Sequence, residues 1–246
     1  TARYRIEQKT MDDENDKLIR FIDFNFENPS LIAFNAGSDI NLFFNRGHAA
    51  YDLQFSLRSL DNKINQISGF EQRSKDEYYL RGRLNLADKF DLIVESSMGL
   101  RQSDSENFEN LDNHIDFWKV GPQLNYRPKS NLRIILKYAY EHQKDSISLH
   151  MSTSHNLGTE LTWRQARNSN LQFRFDYVNI DFDGDVNSPL EFEMLQGLKN
   201  GQNTLWQINY TRRIANNIDL IVNYQGRKSK DARLVNTAGV QMRAIF

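Results

Sequence analysis

The stretch Tyr51-Asp52-Leu53-Gln54-Phe55-Ser56-Leu57-Arg58 alternates apolar and polar residues without a slip. Successive side chains of a β-strand point to opposite faces, so this stretch predicts a strand with one apolar and one polar face. The same alternation recurs where the apolar series begin at Leu92, Leu132, Leu171 and Ile218. Repeated over a whole chain, the pattern is typical of a barrel with hydrocarbon outside and water inside.

Adding the less regular segments extends this prediction to most of the chain. We place strands near residues 17–27, 31–46, 50–60, 78–87, 91–102, 112–127, 131–143, 150–166, 170–182, 202–214, 217–228 and 232–246. Residues 1–16 are predicted to be a first partial strand or a periplasmic extension, and residues 17–246 the barrel. The predicted fold is an all-β, antiparallel transmembrane β-barrel of about 12 to 14 strands whose C-terminal strand ends in Phe246.

The connections between these strands alternate in length, which predicts an orientation. Short turns near 88–89, 128–130, 167–169 and 215–217 alternate with longer loops near 61–77, 102–112, 143–149, 183–201 and 226–231. In bacterial barrels short turns are periplasmic and long loops extracellular. We therefore expect a bacterial outer-membrane protein with a periplasmic C-terminus, extracellular long loops, and aromatic belts near both ends of its strands.

Composition agrees with this prediction and removes several other classes. Mean hydropathy is −0.67 and 26% of the residues are charged, but a barrel strand needs only alternate apolar residues. The 31 basic and 32 acidic residues leave no basic footprint for nucleic acid. With no cysteine, disulfides and thiolate metal sites are excluded. No cofactor is predicted.

The C-terminal sixty residues add a family resemblance. The stretches Asn187–Leu198, Gly201–Trp206 and Gly226–Ser229, together with Val240–Phe246, resemble the closing barrel region of large outer-membrane or cell-surface proteins of the Bacteroidota. This resemblance implies a Gram-negative cell envelope and a barrel that completes a longer protein. A start at Thr1 without a signal peptide fits the same expectation of a mature or truncated chain.

The final strand also resembles the signal read by the barrel assembly machinery. Val240, Met242, Ala244 and Phe246 alternate with polar residues and end on an aromatic residue. The resemblance implies that this machinery is a partner during biogenesis. The alternative is that any lipid-facing strand alternates in this way.

Alternation also predicts which charged side chains line the lumen. The predicted lumen residues are Arg58, Arg81, Arg83, Glu95, Arg101, Lys119, Arg133, Lys137, Glu160, Arg174 and Asp176. Such charges must be hydrated or paired, because an isolated charge in a low-dielectric interior costs several kcal/mol. A wet channel with mild anion preference and a plug of interlocked ion pairs both meet this demand, and we expect a closed or narrow lumen.

Two further sets of residues suggest sites in the loops. Leu190, Phe192, Met194, Leu195 and Leu198 give the loop before Gly201 an apolar content that predicts contact with the barrel mouth, with the rim, or with another protein. Asp181, Asp183 and Asp185 are a weak calcium candidate, because the twelfth position, with Asp181 counted as the first, is Phe192 and not a glutamate. The main prediction is a solvated acidic turn and no metal.

The five histidines are the candidates for catalytic groups. His150 and His155 lie on one predicted strand, and Ser154 next to His155 points to the opposite face, so the two form no dyad. No carboxylate is placed by sequence to orient either ring, as nucleophilic catalysis requires. We therefore expect a protein that is not an enzyme and has no catalytic residue.

Four functions follow in order of preference. The first is a non-enzymatic outer-membrane barrel in contact with membrane lipid, which anchors or completes a larger envelope complex for transport, secretion or assembly and has envelope proteins as partners. The second is a small, porin-like diffusion channel with mild anion preference. The third is a hydrolase built into a barrel, and the fourth is a soluble β-sandwich binding module.

Overall fold

A computed structural model of the protein describes residues 1–10, 31–66, 69–165, 168–215 and 217–244. The twelve strands are β1 (Ala2–Thr10), β2 (Leu31–Phe44), β3 (Tyr51–Gln66), β4 (Gly69–Ala87), β5 (Phe90–Ser105), β6 (Asn113–Lys129), β7 (Leu132–Asp145), β8 (Met151–Gln165), β9 (Ser169–Asp183), β10 (Gly201–Ala215), β11 (Ile218–Ser229) and β12 (Val235–Ala244). They form one sheet in which spatial order equals chain order, and every neighbouring pair is antiparallel. The predicted all-β antiparallel fold is confirmed.

Cross-strand register separates the two kinds of side chain that alternate along each strand. In the opening stretch, Asp52 lies opposite Arg83, while Leu53 lies opposite Phe44 and Gly82. Because the register from β3 to β9 keeps its parity, one sheet face collects the polar members and the other collects the apolar members. We call these the polar face and the apolar face.

Burial of the two faces is inverted relative to a water-soluble sheet. On the polar face Ser56, Asn125 and Gln143 are at most 2% exposed, whereas on the apolar face Leu136 and Leu157 are 52% and 60% exposed. Large exposed apolar areas on a protein mark contact with lipid or another protein. A continuous apolar face of this kind is what a barrel presents to hydrocarbon.

Aromatic residues of the apolar face gather in two rows. Phe90 stacks on Tyr126 in one row at a ring distance of 4.4 Å, and Trp118 packs on Tyr140 in the other at 4.8 Å. Tyr126 and Trp118 lie eight residues apart on β6, which is about 26 Å along a strand. That separation matches the apolar band of outer-membrane barrels, about 25 Å tall.

From β4 onward short and long connections alternate, as the sequence predicts, so the sheet has a short-turn end and a long-loop end; the β2–β3 connection at the short-turn end is longer, with six residues. The short-turn end carries the connections between β2 and β3, β4 and β5, β6 and β7, β8 and β9, and β10 and β11. The longest described connection, residues 184–200, lies at the long-loop end and contains a short helix, α1 (Pro189–Met194). A 3-10 turn (Glu109–Leu111) lies in another connection at the same end.

One predicted loop is wrong. Residues 61–77 are not a long loop, because β3 continues to Gln66 and β4 begins at Gly69. Hydrophobic alternation ends near Leu60, but backbone pairing continues with Asn62 opposite Arg73. Polar pairs suit strands that project beyond the apolar band into water, so alternation reports where a strand meets hydrocarbon and not where it ends.

The first predicted strand, residues 17–27, lies outside the described residues. Ala2–Thr10 is strand β1 and pairs with β2, which places the N-terminal residues in the sheet itself. Among the described residues, β1 has no strand on its other side, and β12 pairs only with β11. Both outer edges of the described sheet are therefore open.

Neither α1 nor the 3-10 turn, the helical elements of the described residues, is long and apolar enough to cross a membrane.

Candidate functional site: the polar face and its long-loop end

All eleven predicted lumen residues lie on the polar face by register. Near the middle of this face Lys137, Glu160, Arg174 and Asp176, from β7, β8 and β9, form a four-residue charge network. The Lys137 Nζ atom lies 2.8 Å from Glu160 Oε1 and 3.4 Å from Asp176 Oδ1. The Arg174 Nε atom lies 2.6 Å from Asp176 Oδ2 and 3.9 Å from Glu160 Oε1. Each acid thus has two basic neighbours.

A glycine at position 158 makes this network possible. Gly158 lies on β8 between Lys137 of β7 and Asp176 of β9, in register with both. A Cβ atom at this position would overlap the side chains of Lys137 and Asp176. The missing side chain therefore leaves the space through which the lysine reaches the far carboxylate.

Smaller groups of ion pairs flank the network. The Asp52 carboxylate forms ion pairs with Arg81 Nη1 at 3.1 Å and with Arg83 Nε at 2.5 Å. Arg81 Nε also lies 3.8 Å from Glu95 Oε1. Asp52 and Glu95 therefore neutralise part of the positive charge that the predicted lumen arginines bring to this face.

On β5, β6 and β7 the Glu141 carboxylate lies 3.9 Å from Arg101 and 3.4 Å from Lys119. Arg101 also donates to the side-chain oxygen of Gln143 at 2.7 Å. Arg58 lies 3.5 Å from Glu77, and Arg133 donates to the Asn125 side chain at 3.2 Å. Interlocked pairs thus cover much of the described polar face, although whether the lumen conducts stays a prediction.

Toward the long-loop end the polar face becomes apolar. Ile115 of β6 is fully buried there, and Val178, Ile180 and Phe182 of β9 are at most 7% exposed. They form the largest apolar cluster of the described residues, which we call the mouth cluster. Its partners come from the 184–200 connection, which folds back over the polar face.

Four of the five apolar loop residues pack against this cluster. Met194 and Leu195 are 2% exposed and belong to it, and Leu190 and Leu198 pack at its edge. Phe192 is different, because it is 70% exposed. The sequence left open contact of this loop with the barrel mouth, with the rim or with another protein. In the structure the loop is folded onto the polar face at the mouth.

Local chemistry holds α1 in this position. The Ser188 hydroxyl accepts the backbone N–H of Glu191 at 3.0 Å, as an N-cap does, and Pro189 suits the first helical turn. Gln196 and Gly197, with φ of 53° and 75°, end the helix in the left-handed region. Gln143 of β7 then donates to the carbonyl of Met194 at 3.2 Å, a buried bond that ties the helix end to the sheet.

A buried carboxylate fastens the neighbouring connection. Asp145, at the loop end of β7 and beyond the aromatic row, is fully buried and accepts the N–H and hydroxyl of Ser148, both at 2.6 Å, and the N–H of His114 at 2.8 Å. Burial alone would raise the pKa of Asp145, but these hydrogen bonds favour the carboxylate and hold its pKa below the ordinary value.

His48 lies at the short-turn end, and the other four histidines lie at the long-loop end or on the apolar face. His155 lies on the apolar face beside the aromatic row that contains Trp118 and Tyr140. Its Nδ1 atom lies 2.7 Å from the Tyr138 hydroxyl. His114 lies 3.2 Å from Asp104 and His150 lies 3.8 Å from Asp185, two carboxylate neighbours that the sequence did not indicate. Neither described pair has a serine or other nucleophile joined to the ring, so no triad geometry is present there.

The weak calcium candidates do not converge. Asp181 and Asp183 are exposed at the end of β9 on the apolar-face side, and Asp185 lies beside His150 in the following connection. Among the described residues no group of three or more histidine or acidic side chains could hold a metal ion.

Three of the four predicted assembly-signal residues are described. Val240 and Met242 are 72% and 66% exposed on β12, and Ala244 shares their face at the end of the strand. Phe246 lies outside the described residues. Recognition by the assembly machinery stays a prediction.

The mouth cluster was not predicted, although the sequence of β9 contains a signal for it. Along β9 the apolar residues occupy odd positions up to Tyr177, and then even positions from Val178 to Phe182. The β8–β9 register passes through this point without a bulge. A phase change in alternation within one unbroken strand therefore indicates that the inward face has turned apolar.

Comparison with family models and with curated proteins finds no match. Solved structures do match. The siderophore receptor PirA from Acinetobacter baumannii has a TM-score of 0.58 and 8% identity over 99% of this chain and 40% of its own. CdiB from the same organism has a TM-score of 0.55 and 11% identity over 87% of this chain and 45% of its own.

The copper transporter OprC has a TM-score of 0.50 and 10% identity, over 80% of this chain and 37% of its own. The chain thus spans less than half the length of each of these three structures. At such low identity the likeness concerns the fold alone. The twelve described strands have the fold of an outer-membrane β-barrel, and the predicted fold class is confirmed.

Proposed function

We propose that this chain is a non-enzymatic wall of an outer-membrane β-barrel that anchors or completes a larger transport, secretion or assembly complex of the cell envelope. The observation that carries the proposal is the inversion of burial. Acidic and amide side chains such as Asp176 and Asn125 are at most 5% exposed, while Leu136 and Met98 are 52% and 60% exposed on the opposite face. In water this arrangement is unfavourable, and in lipid it is required.

The open edges support the second half of the proposal. In hydrocarbon an unpaired backbone N–H or C=O costs several kcal/mol, so a spanning sheet must close. All ten residues of β12 are exposed, and among the described residues neither β12 nor β1 has an outer partner. Further strands beside these edges would satisfy the backbone, and the likeness to parts of longer barrels fits such an arrangement.

The first test asks whether the protein is an integral envelope component with partners. Outer membranes are separated by density, washed at alkaline pH, and solubilised in mild detergent for native electrophoresis. We expect the chain to resist the wash and to migrate well above its own mass of 28.9 kDa. Release by the wash would overturn the membrane assignment, and migration as a single free chain would overturn the complex.

The second test concerns the edges directly. The chain contains no cysteine, so pairs can be introduced on a silent background. In native membranes, cysteines replacing Val222 and Val240, which are opposite each other on β11 and β12, must cross-link and serve as the control. Cysteine replacing Tyr4 on β1 should not cross-link to position 240, and an efficient Tyr4–Val240 cross-link would mean that the twelve strands close on themselves.

A small diffusion channel is the second candidate, favoured by one observation. Beneath the mouth, the polar face lines a cavity of about 380 Å³ with four basic residues, Arg58, Lys119, Lys137 and Arg174, and two acidic residues, Glu77 and Glu95, a net charge of +2. Positive lining would raise the local concentration of anions. Discrete, anion-selective conductance in planar bilayers that weakens in Lys119→Glu would favour the channel, and a silent bilayer would favour a closed wall.

A further inference from the structure

The short-turn end of the sheet carries basic side chains that the ion pairs described above do not use. Arg127, Lys129, Arg133 and Arg164 line one cavity of about 560 Å³ between β6, β7 and β8. They come together because the turn at residues 130–131 joins β6 to β7. The backbone N–H of Arg164 on β8 also donates to the backbone carbonyl of Asn131 at 2.9 Å. The cavity is therefore part of the fold and not of one mobile loop.

Charge in this cavity is not balanced. Arg127 is neutralised by Asp91 at 3.0 Å. Within the described part of the chain, Lys129, Arg133 and Arg164 have no ion-pair partner, and one acid, Asp88, lines the same cavity. Counting Asp91 with its arginine, four basic groups face two acidic groups, a net charge of +2.

The positions of Arg133 and Arg164 argue against a role in anchoring the barrel to the bilayer. Arg133 and Arg164 belong to the polar face, since Arg133 lies opposite Thr162 and Arg164 lies two residues further along β8. Residues that anchor a barrel to lipid headgroups lie on the apolar face, as does Trp163, which is opposite Leu132. The guanidinium groups thus point toward the space that the wall encloses.

Behind Arg133 the structure provides a positioning residue. Asn125 is 1% exposed, and its Oδ1 accepts from Arg133 at 3.2 Å and from Gln123 at 2.9 Å. Its Nδ2 has no acceptor within the described residues. A buried amide donor that lacks an acceptor is costly, and it lies beside an arginine that lacks an acid.

We propose that Lys129, Arg133 and Arg164 form a binding site for a phosphate-class oxyanion at the short-turn end of the sheet, where Arg133 and Arg164 come from the polar face and Lys129 lies at the end of β6 beyond a shift in register. Two guanidinium forks and one ammonium suit the several acceptor oxygens of a phosphate group. A soluble phosphate compound and a lipid headgroup share this chemistry. The site depends on the fold and not on whether the lumen conducts or the wall joins a complex.

The test uses purified protein in a neutral detergent, with inorganic phosphate as the probe and chloride at equal ionic strength as the reference. A ligand that binds the folded state raises the unfolding temperature with its concentration, and the concentration dependence gives the dissociation constant. We expect the Arg133→Gln/Arg164→Gln variant to bind phosphate at least about tenfold more weakly, since charged hydrogen bonds of this kind contribute about 1.4 kcal/mol or more together.

Two control variants make the result specific. Arg46→Gln removes a charge from another short turn outside the cavity and should bind phosphate like the wild type. Arg133→Lys/Arg164→Lys keeps the charge and should fold and bind with intermediate affinity. If all four proteins respond equally to phosphate, or none responds to phosphate or to lipid, the site is refuted.

The lipid arm identifies the source of the phosphate group. The same proteins are titrated with phosphatidylglycerol and, as a reference, with phosphatidylcholine in mixed micelles. Stabilisation by inorganic phosphate that depends on Arg133 and Arg164 indicates a soluble ligand. Stabilisation by phosphatidylglycerol alone, with the same dependence on the two arginines, indicates a headgroup, and stabilisation without that dependence refutes the site.

Discussion

The middle and the long-loop end of the polar face lie on the same strands but are stabilised in opposite ways. At the middle, Lys137 and Arg174 bridge Glu160 and Asp176. A few residues along β9, the same face buries Ile180 against Leu195 and its neighbours of the 184–200 connection. A sheet face therefore has no single chemistry, because what covers it changes from water and ions to a folded loop.

The largest expected effect separates the loop from the sheet. Leu195→Ala removes a side chain that is 2% exposed in the mouth cluster. We expect the docked loop to lose about 2–5 kcal/mol, the usual cost of such a truncation in a core. Limited proteolysis should then cut the 184–200 connection faster, while the strands stay protected in detergent.

Phe192→Ala is the matched control for this change. The Phe192 side chain lies three residues earlier in the same connection but is 70% exposed, so its loss should alter the docking free energy by less than about 0.5 kcal/mol. Equal protection of the Leu195→Ala variant and the wild type would show that the mouth cluster does not hold the loop.

An intermediate effect is expected in the charge network. Lys137→Met leaves Arg174 as the one basic neighbour that Glu160 and Asp176 share in this network, and the Asp176 side chain is only 8% exposed. We expect the free energy of unfolding to fall by roughly 1–3 kcal/mol, the contribution of hydrogen bonds to charged groups that are then lost. The midpoint of denaturation in lipid vesicles measures this change.

Leu136→Met provides the comparison on the opposite face of β7. Its side chain is 52% exposed, and the substitution conserves volume, so a change below about 1 kcal/mol is expected. Adding Asp176→Leu to Lys137→Met leaves one acid, Glu160, beside one base, Arg174, and should restore part of the loss. No difference between Lys137→Met and Leu136→Met would mean that hydration, and not pairing, balances these charges.

The smallest expected effect concerns Asp145 and depends on pH. The pKa of Asp145 is lowered in the folded protein, so the carboxylate stabilises the fold above the unfolded pKa of about 4, and this contribution is lost as the pH falls through the folded pKa. Asp145→Asn should cost about 1 kcal/mol at neutral pH. Cleavage of the 146–150 connection by an acid-active protease measures the loss.

The variant also supplies the control for this pH dependence. The side-chain amide introduced by Asp145→Asn cannot titrate, so cleavage of this variant should vary less between neutral and acidic pH than cleavage of the wild type. Parallel pH profiles of the two proteins would assign the dependence to other carboxylates.

Much of the fold was predictable because it follows from period-2 alternation. The sequence correctly indicated the antiparallel strands, the alternation of short and long connections from β4 onward, and the parity that places Arg81 and Leu80 on opposite faces. The predicted 61–77 loop failed because alternation stops where hydrocarbon stops, whereas backbone pairing from Leu60 to Gln66 continues in water.

The candidate site was only partly predictable. Parity assigned the eleven charged residues to one face, but which acid each base contacts depends on register between strands. Lys137 reaches Asp176 across Gly158, a contact that joins residues 39 positions apart. No local pattern specifies such a pair.

What the sequence by itself determined is the division of the chain into strands with one face for lipid and one for polar groups, because alternation is a local property of each strand. The tertiary structure alone decided how the polar face is filled. Register set the ion pairs, and the fold of the 184–200 connection turned the inward-facing Ile115 and Ile180 into a buried cluster. Those contacts join residues far apart in the chain, so their energies depend on geometry that no single segment encodes.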